Sequence, residues 1–122
     1  MNKKVLIIED DREVRDSLTM LLEMEGYSAA VADHGRDALD YLRSQKDLPC
    51  LILLDLMMPV MDGFTFRAEQ KADAALGNIP VVVMSAAGNI HEKLPGLEAK
   101  AYLKKPMDFS DVVNAVERYC NA

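Results

Sequence analysis

The side chains able to do chemistry gather at a few points of the chain: Glu9-Asp10-Asp11, Asp55, Ser85 and Lys104-Lys105-Pro106. Each follows directly on a short apolar run. Carboxylates brought together need a cation, since two of them about 5 Å apart repel by roughly 3 kcal/mol at an effective dielectric near 20. A bound Mg²⁺ turns that repulsion into ligation, and hard oxygen donors suit it. A lysine and a hydroxyl on the opposite side then suit a polyanion held between metal and ammonium. Phosphoryl transfer has those needs, and a carboxylate can be its nucleophile by forming an acyl phosphate. Taken singly, the residues have plainer uses: Asp11 as a helix cap before Arg12, Asp55 as the start of a turn at Met58-Pro59, Lys105 as a solvated charge. Only their joint placement argues for a site.

That placement depends on the elements. Val5-Leu6-Ile7-Ile8, Leu51-Ile52-Leu53-Leu54 and Val81-Val82-Val83-Met84 are apolar runs without polar alternation, as expected of strands covered on both faces. Ser28 to Ala32 and Ala101-Tyr102-Leu103 read as two further, weaker strands. Between them lie helical patterns. Val14, Leu18, Leu21 and Leu22 share one face, with Gly26 as a stop; residues 35 to 45 turn Ala38, Leu39 and Leu42 inward. Phe64 to Ala75 reads as a helix ended by Gly77-Asn78, and a short one falls within 89 to 98, interrupted by Pro95-Gly96. The last has Phe109, Val112, Val113, Val116 and Cys120 on one face and Asp108 as its N-cap. Five strands alternating with five helices predict an α/β fold with a parallel sheet, a single domain over 1–122. In such folds ligands sit beyond the carboxyl ends of the strands. Glu9, Asp10, Asp55, Ser85 and Lys105 all fall there and converge if strands one, three, four and five are neighbours.

Composition narrows the classes. Half of the residues are hydrophobic and 28% are charged, with a net charge of −6, an ordinary globular profile. The acidity argues against a nucleic-acid or anionic-membrane surface, which would need basic patches. No run approaches a membrane span or a signal-peptide core, so a cytoplasmic chain is expected. Cys50 and Cys120 read as reduced packing residues. His34 and His91 read as surface residues away from the acidic rim.

The segments Val5-Leu6-Ile7-Ile8-Glu9-Asp10-Asp11, Leu53-Leu54-Asp55-Leu56-Met57-Met58-Pro59-Val60-Met61-Asp62-Gly63, Val83-Met84-Ser85-Ala86 and Tyr102-Leu103-Lys104-Lys105-Pro106 together resemble the receiver domain of two-component response regulators. The resemblance covers the whole chain. It implies a flavodoxin-like (βα)5 fold with strand order 2-1-3-4-5. It also implies Asp55 as phosphoacceptor, with phosphate taken from a phosphohistidine on a sensor histidine kinase or phosphotransfer protein. Mg²⁺, with Mn²⁺ able to substitute, would be held by Asp10, Asp55, the Met57 carbonyl and, through water, Glu9. Ser85 and Lys105 would bind the phosphoryl group, and Lys105-Pro106 would be a cis peptide. Phosphorylation would draw Ser85 inward and let Tyr102 follow. That would reshape the surface of the fourth helix, fifth strand and fifth helix for a downstream protein partner. Such a chain catalyses only its own phosphorylation and dephosphorylation.

The sequence departs from the family pattern in one stretch. From Ser85 to Lys105 it is about two residues shorter than is usual, and Pro95-Gly96 lies inside, so a short or displaced fourth helix is expected. Met57 and Ala87 occupy positions that tune phosphate lifetime in the family. Neither can orient a hydrolytic water, which points to a phosphate that is not especially short-lived. Three other readings fit less well. An aspartyl phosphatase needs a second Asp where Met57 stands; a flavin module needs a phosphate-cradling loop where Glu9-Asp10-Asp11 stands; an interaction module without phosphorylation has no need of the full set of site residues.

Overall fold

A computed structural model describes residues 3–86 and 97–120. The three apolar runs form β1 (Lys4–Ile8), β3 (Leu51–Asp55) and β4 (Val81–Ser85); the weaker pair forms β2 (Ser28–Ala32) and β5 (Ala101–Lys104). All pairings are parallel, in the order β2-β1-β3-β4-β5, as the resemblance implies. Alternation of side chains along each strand sends Leu6, Ile8, Ile52, Leu54, Val81 and Val83 to one face of the sheet. Val5, Ile7, Leu51, Leu53, Val82 and Met84 go to the other. Both faces are covered, which explains runs that never alternate with polar residues.

Four helices lie among the described residues: α1 (Arg12–Met24), α2 (Gly35–Ser44), α3 (Gly63–Ala72) and α4 (Phe109–Cys120). The short helix expected within 89 to 98 falls almost wholly outside the described residues, as do Ala87, His91 and Pro95-Gly96. Helices α2 and α3 cover the first face with Ala38, Leu39, Leu42 and Phe66. Helices α1 and α4 cover the second with Leu18, Leu22, Val112, Ala115 and Val116. Asp11 caps α1, its Oδ1 accepting from the Glu13 and Val14 N–H groups at 2.9 and 3.3 Å. Among the described residues no helix is long and apolar enough to cross a membrane.

Three readings of the sequence need correction. Helix α3 ends at Ala72 rather than Ala75, because Asp73 turns the chain. Its side chain accepts from the Ala75 N–H at 3.0 Å and its carbonyl from Leu76 and Gly77, an alternative to helical bonding open to short acidic side chains. Phe109 is not inward but 59% exposed, since it opens the helix and lines the groove toward α1 rather than the core. Cys50 and Cys120 are not separate thiols. They are joined as a disulfide, with Cα atoms 4.9 Å apart, because α4 crosses the sheet so that its last residue meets the residue before β3.

Candidate functional site

The pairing register aligns the carboxyl ends of the strands. Ile8 is level with Leu54, Asp55 with Met84, and Ser85 with Lys104. The next residues of β1 and β5 therefore reach the same rim as the last residues of β3 and β4. Glu9, fully buried, and Asp55, 4% exposed, meet there with the exposed Asp10. One carboxylate oxygen from each lies within 4.8 Å of the others. This is a hard oxygen cluster of the kind that a divalent cation neutralises.

Lys105 is the counter-charge. Its Nζ contacts Glu9 Oε1 and lies 3.5 Å from Asp55 Oδ2. Its backbone N–H donates to the Ser85 carbonyl at 2.9 Å, and the Lys105–Pro106 peptide is cis. Burial pushes the Lys105 ammonium down, but the Glu9 hydrogen bond and the Asp55 charge outweigh it and hold the group above the usual lysine range. Burial raises the Glu9 carboxyl, helped by the adjacent Asp55. The Lys105 and Asp11 N–H contacts oppose that rise without cancelling it.

Two of these carboxylates have a defined local support. The Asp11 N–H donates to Glu9 Oε2 at 3.2 Å, and the Met57 N–H to Asp55 Oδ1 at 3.2 Å. That leaves Asp55 Oδ2 as the oxygen facing Lys105. Ser85, buried at the end of β4, sits beside the β3 terminus. Tyr102 lies half-buried on β5 opposite Val83 and packs against the α3 side of the core. Glu9, Asp10, Asp55, Ser85 and Lys105 are thus brought to one rim, while Tyr102 stands back from it, two residues before Lys104.

The sequence reading passed over several supporting residues. Gly63 lies so close to the end of β3 that a Cβ there would sit 2.6 Å from the Asp55 carbonyl oxygen. Arg15 donates to the Glu9 carbonyl at 3.2 Å and pairs with Asp33, tying α1 to the acidic loop. Arg67, buried on α3, donates to Leu97 O at 2.7 Å, Gln70 Oε1 at 2.8 Å and Glu98 O at 3.2 Å. Gln70 in turn donates to Leu76 O and Ile79 O. The one sequence signal for this network was a pair of long polar side chains, Arg67 and Gln70, on the inward face of a helix beside Phe66.

Comparison with known proteins agrees with this geometry. The profile of the family described as response regulator receiver domain matches residues 5–117. The response regulator MprA of Mycolicibacterium vanbaalenii is 36% identical over 115 residues, which cover 93% of this chain and 48% of that protein. The chain therefore spans about half the length of the curated relatives it matches. A putative response regulator from Chloroflexus aurantiacus superposes with a TM-score of 0.88 at 28% identity, with full coverage of both chains. The receiver domain of the sensor histidine kinase PA1611 from Pseudomonas aeruginosa also superposes at 0.88 with full coverage of both. Its identity of 21% speaks to the fold alone; that structure holds a magnesium ion in its active site cleft.

Proposed function

This chain belongs to the response regulator receiver domain family, and from that premise we propose that it accepts a phosphoryl group on Asp55 Oδ2 from a protein phosphohistidine. The observation that carries the reading is the convergence of Glu9, Asp10 and Asp55 with Lys105 on one rim. Asp10, Asp55 and the Met57 carbonyl would hold Mg²⁺ directly and Glu9 through water. The ion would supply charge neutralisation between the Asp55 carboxylate and an incoming phosphoryl group. The magnesium in the cleft of the PA1611 receiver domain supports the choice of ion.

The remaining work falls to the chain itself. The Met57 N–H fixes Asp55 Oδ1 and so orients Oδ2 for in-line attack. Lys105, already 3.5 Å from Oδ2, exchanges its carboxylate partners for phosphoryl oxygens, and the Ser85 hydroxyl donates to another. Beside Lys105 a groove of about 500 Å³ runs between α1 and α4, lined by Val14, Leu18, Met107 and Phe109 among others. A donor that presents phosphohistidine to Asp55 covers it. Once formed, the acyl phosphate draws Ser85 toward it and biases Tyr102 inward. A downstream protein partner reads the change on β5, α4 and the segment before them. The chain acts on its own side chain, in the cytoplasm, and turns over no external substrate.

Intact mass after incubation with acetyl phosphate, with and without Mg²⁺, tests this on the wild type and on Asp55→Asn. The expected result is one Mg²⁺-dependent phosphate, labile to base and hydroxylamine, on the wild type alone. A folded wild-type chain that binds Mg²⁺ and takes no phosphate would instead make the domain an interaction module.

A further inference from the structure

The disulfide has no part in the phosphate chemistry. Cys50 lies at the opposite end of β3 from Asp55, and Cys120 at the opposite end of α4 from Lys105. Two features set this pair apart from a fixed structural cross-link. First, the fold does not need it: α4 is anchored in the core by Val112, Ala115 and Val116, all buried. Disulfides that hold a fold together belong mainly to domains too small to build such a core. Second, the thiol form of Cys50 has somewhere to go. Cys50 Sγ lies 3.1 Å from the Lys4 carbonyl oxygen, an acceptor ready for its S–H on reduction, and both cysteines are only partly buried. A small disulfide can therefore reach them, and the reduced state leaves no buried donor stranded.

We infer that Cys50 and Cys120 form a reversible redox site, oxidised by exchange with a small-molecule disulfide of the glutathione class, which clasps the last turn of α4 to the start of β3. One protein thiolate attacks the disulfide, forming a mixed disulfide and releasing one thiol. The second protein thiolate then displaces the other half. Two electrons pass from the protein to the reagent, and the two protons leave with the released thiols. The loop closed by this bond is long, with a sequence separation of 70 residues, so the oxidised form gains stability mainly at the expense of the unfolded chain's freedom. The rim lies at the other end of both elements, so the clasp acts on the stability and fraying of α4, not on Asp55.

The test is a redox titration of the full chain in glutathione buffers of graded ratio, quenched in acid, alkylated and weighed intact. Each point is paired with a thermal melt and with trypsin cleavage after the exposed Arg118. The expected result is a single two-electron transition within one chain. Reduction should lower Tm by roughly 10 °C and speed cleavage after Arg118 several-fold. Cys50→Ser and Cys120→Ser should behave like the reduced form at every ratio. Asp55 phosphorylation by acetyl phosphate should stay within about twofold across the titration, and a chain unable to take phosphate would leave the clasp result intact. A bond that survives excess dithiothreitol in the folded protein would make it a fixed cross-link and overturn the proposal. So would free thiols in excess oxidised glutathione, or bonds formed between chains.

Discussion

Replacing Asp55 with asparagine should stabilise the metal-free protein while removing the proposed phosphoacceptor. The oxygens of Glu9, Asp10 and Asp55 lie within 4.8 Å of one another, so a fully charged pair repels by at least about 3.5 kcal/mol at an effective dielectric near 20. Asp10 is exposed, and solvent cuts its share to roughly half. Against this, Lys105 Nζ at 3.5 Å from Asp55 Oδ2 attracts by about 5 kcal/mol on the same scale. Repulsion and attraction nearly cancel, and desolvation decides. Asp55 is 4% exposed, and burying an ionised carboxylate costs several kcal/mol more than burying an amide. Asparagine keeps an oxygen for the Met57 N–H. A net gain of about 1–3 kcal/mol follows, or roughly 5–10 °C in Tm for a domain of this size. Excess Mg²⁺ should reverse the order, since ligand at a hundredfold its Kd stabilises the better binder by about 2.7 kcal/mol. Thermal and urea unfolding of both proteins, in EDTA and in Mg²⁺, measures all four states. An asparagine variant less stable than wild type in EDTA would refute the argument, because the three carboxylates would then not be held at a net cost.

Arg67→Met should lose about 3 kcal/mol of stability in urea, because it strands the Leu97 carbonyl and the Gln70 amide oxygen in a buried site. Arg67→Lys should recover less than half, having no fork to reach both, and a methionine variant within 1 kcal/mol of wild type would contradict this account. Gly63→Ala places a Cβ 2.6 Å from the Asp55 carbonyl oxygen and 2.8 Å from Leu56 Cα, backbone atoms that no rotamer change can move. It should cost about 1–3 kcal/mol and slow acetyl-phosphate labelling of Asp55 about tenfold or more; unchanged labelling kinetics would mean that β3 moves without disturbing the site. Glu9 titrates above the ordinary glutamate range because it is buried, so the folded state binds its proton more tightly than the unfolded chain. Its contribution is present below the unfolded value and lost as pH rises from about 4.3 through the raised folded value. In EDTA, wild type should therefore lose stability relative to Glu9→Gln across that window, and parallel curves for the two would show that Glu9 does not titrate there.

What could be read from the sequence divides along a physical line. The strands were legible because a strand covered on both faces needs an unbroken apolar run, and Leu51 to Leu54 and Val81 to Met84 have no other use. The site was legible because parallel strands bring their carboxyl ends to one rim, so Glu9, Asp10, Asp55, Ser85 and Lys105 needed only a topology to be brought together. The end of α3 was not, since Asp73 wins by a local side-chain bond whose energy is close to that of the helical bond it replaces. Neither was the Cys50–Cys120 bond, which joins residues 70 apart through the crossing of α4. Arg67 was missed for a related reason: two of its three acceptors are the backbone carbonyls of Leu97 and Glu98, which any residue could have supplied.

The strand order also explains the chemical division of the rim. Neighbouring strands lie about 4.8 Å apart, so Glu9 at the end of β1 and Asp55 at the end of β3 are held at a separation where two carboxylates repel. No side-chain rearrangement within the sheet can relieve this fully. The residue that ends β4, Ser85, carries no charge, so the opposing cation comes from beyond β5, two strand spacings from β3. Only a long, unbranched side chain crosses that gap, and lysine's flexible stem with a point charge does so while keeping three donors to redistribute. In the structure those donors face Glu9 and Asp55. In the proposed reaction they would turn to the phosphoryl group without moving β5. The same geometry that makes the resting carboxylates costly therefore places the charge that a phosphoryl group needs.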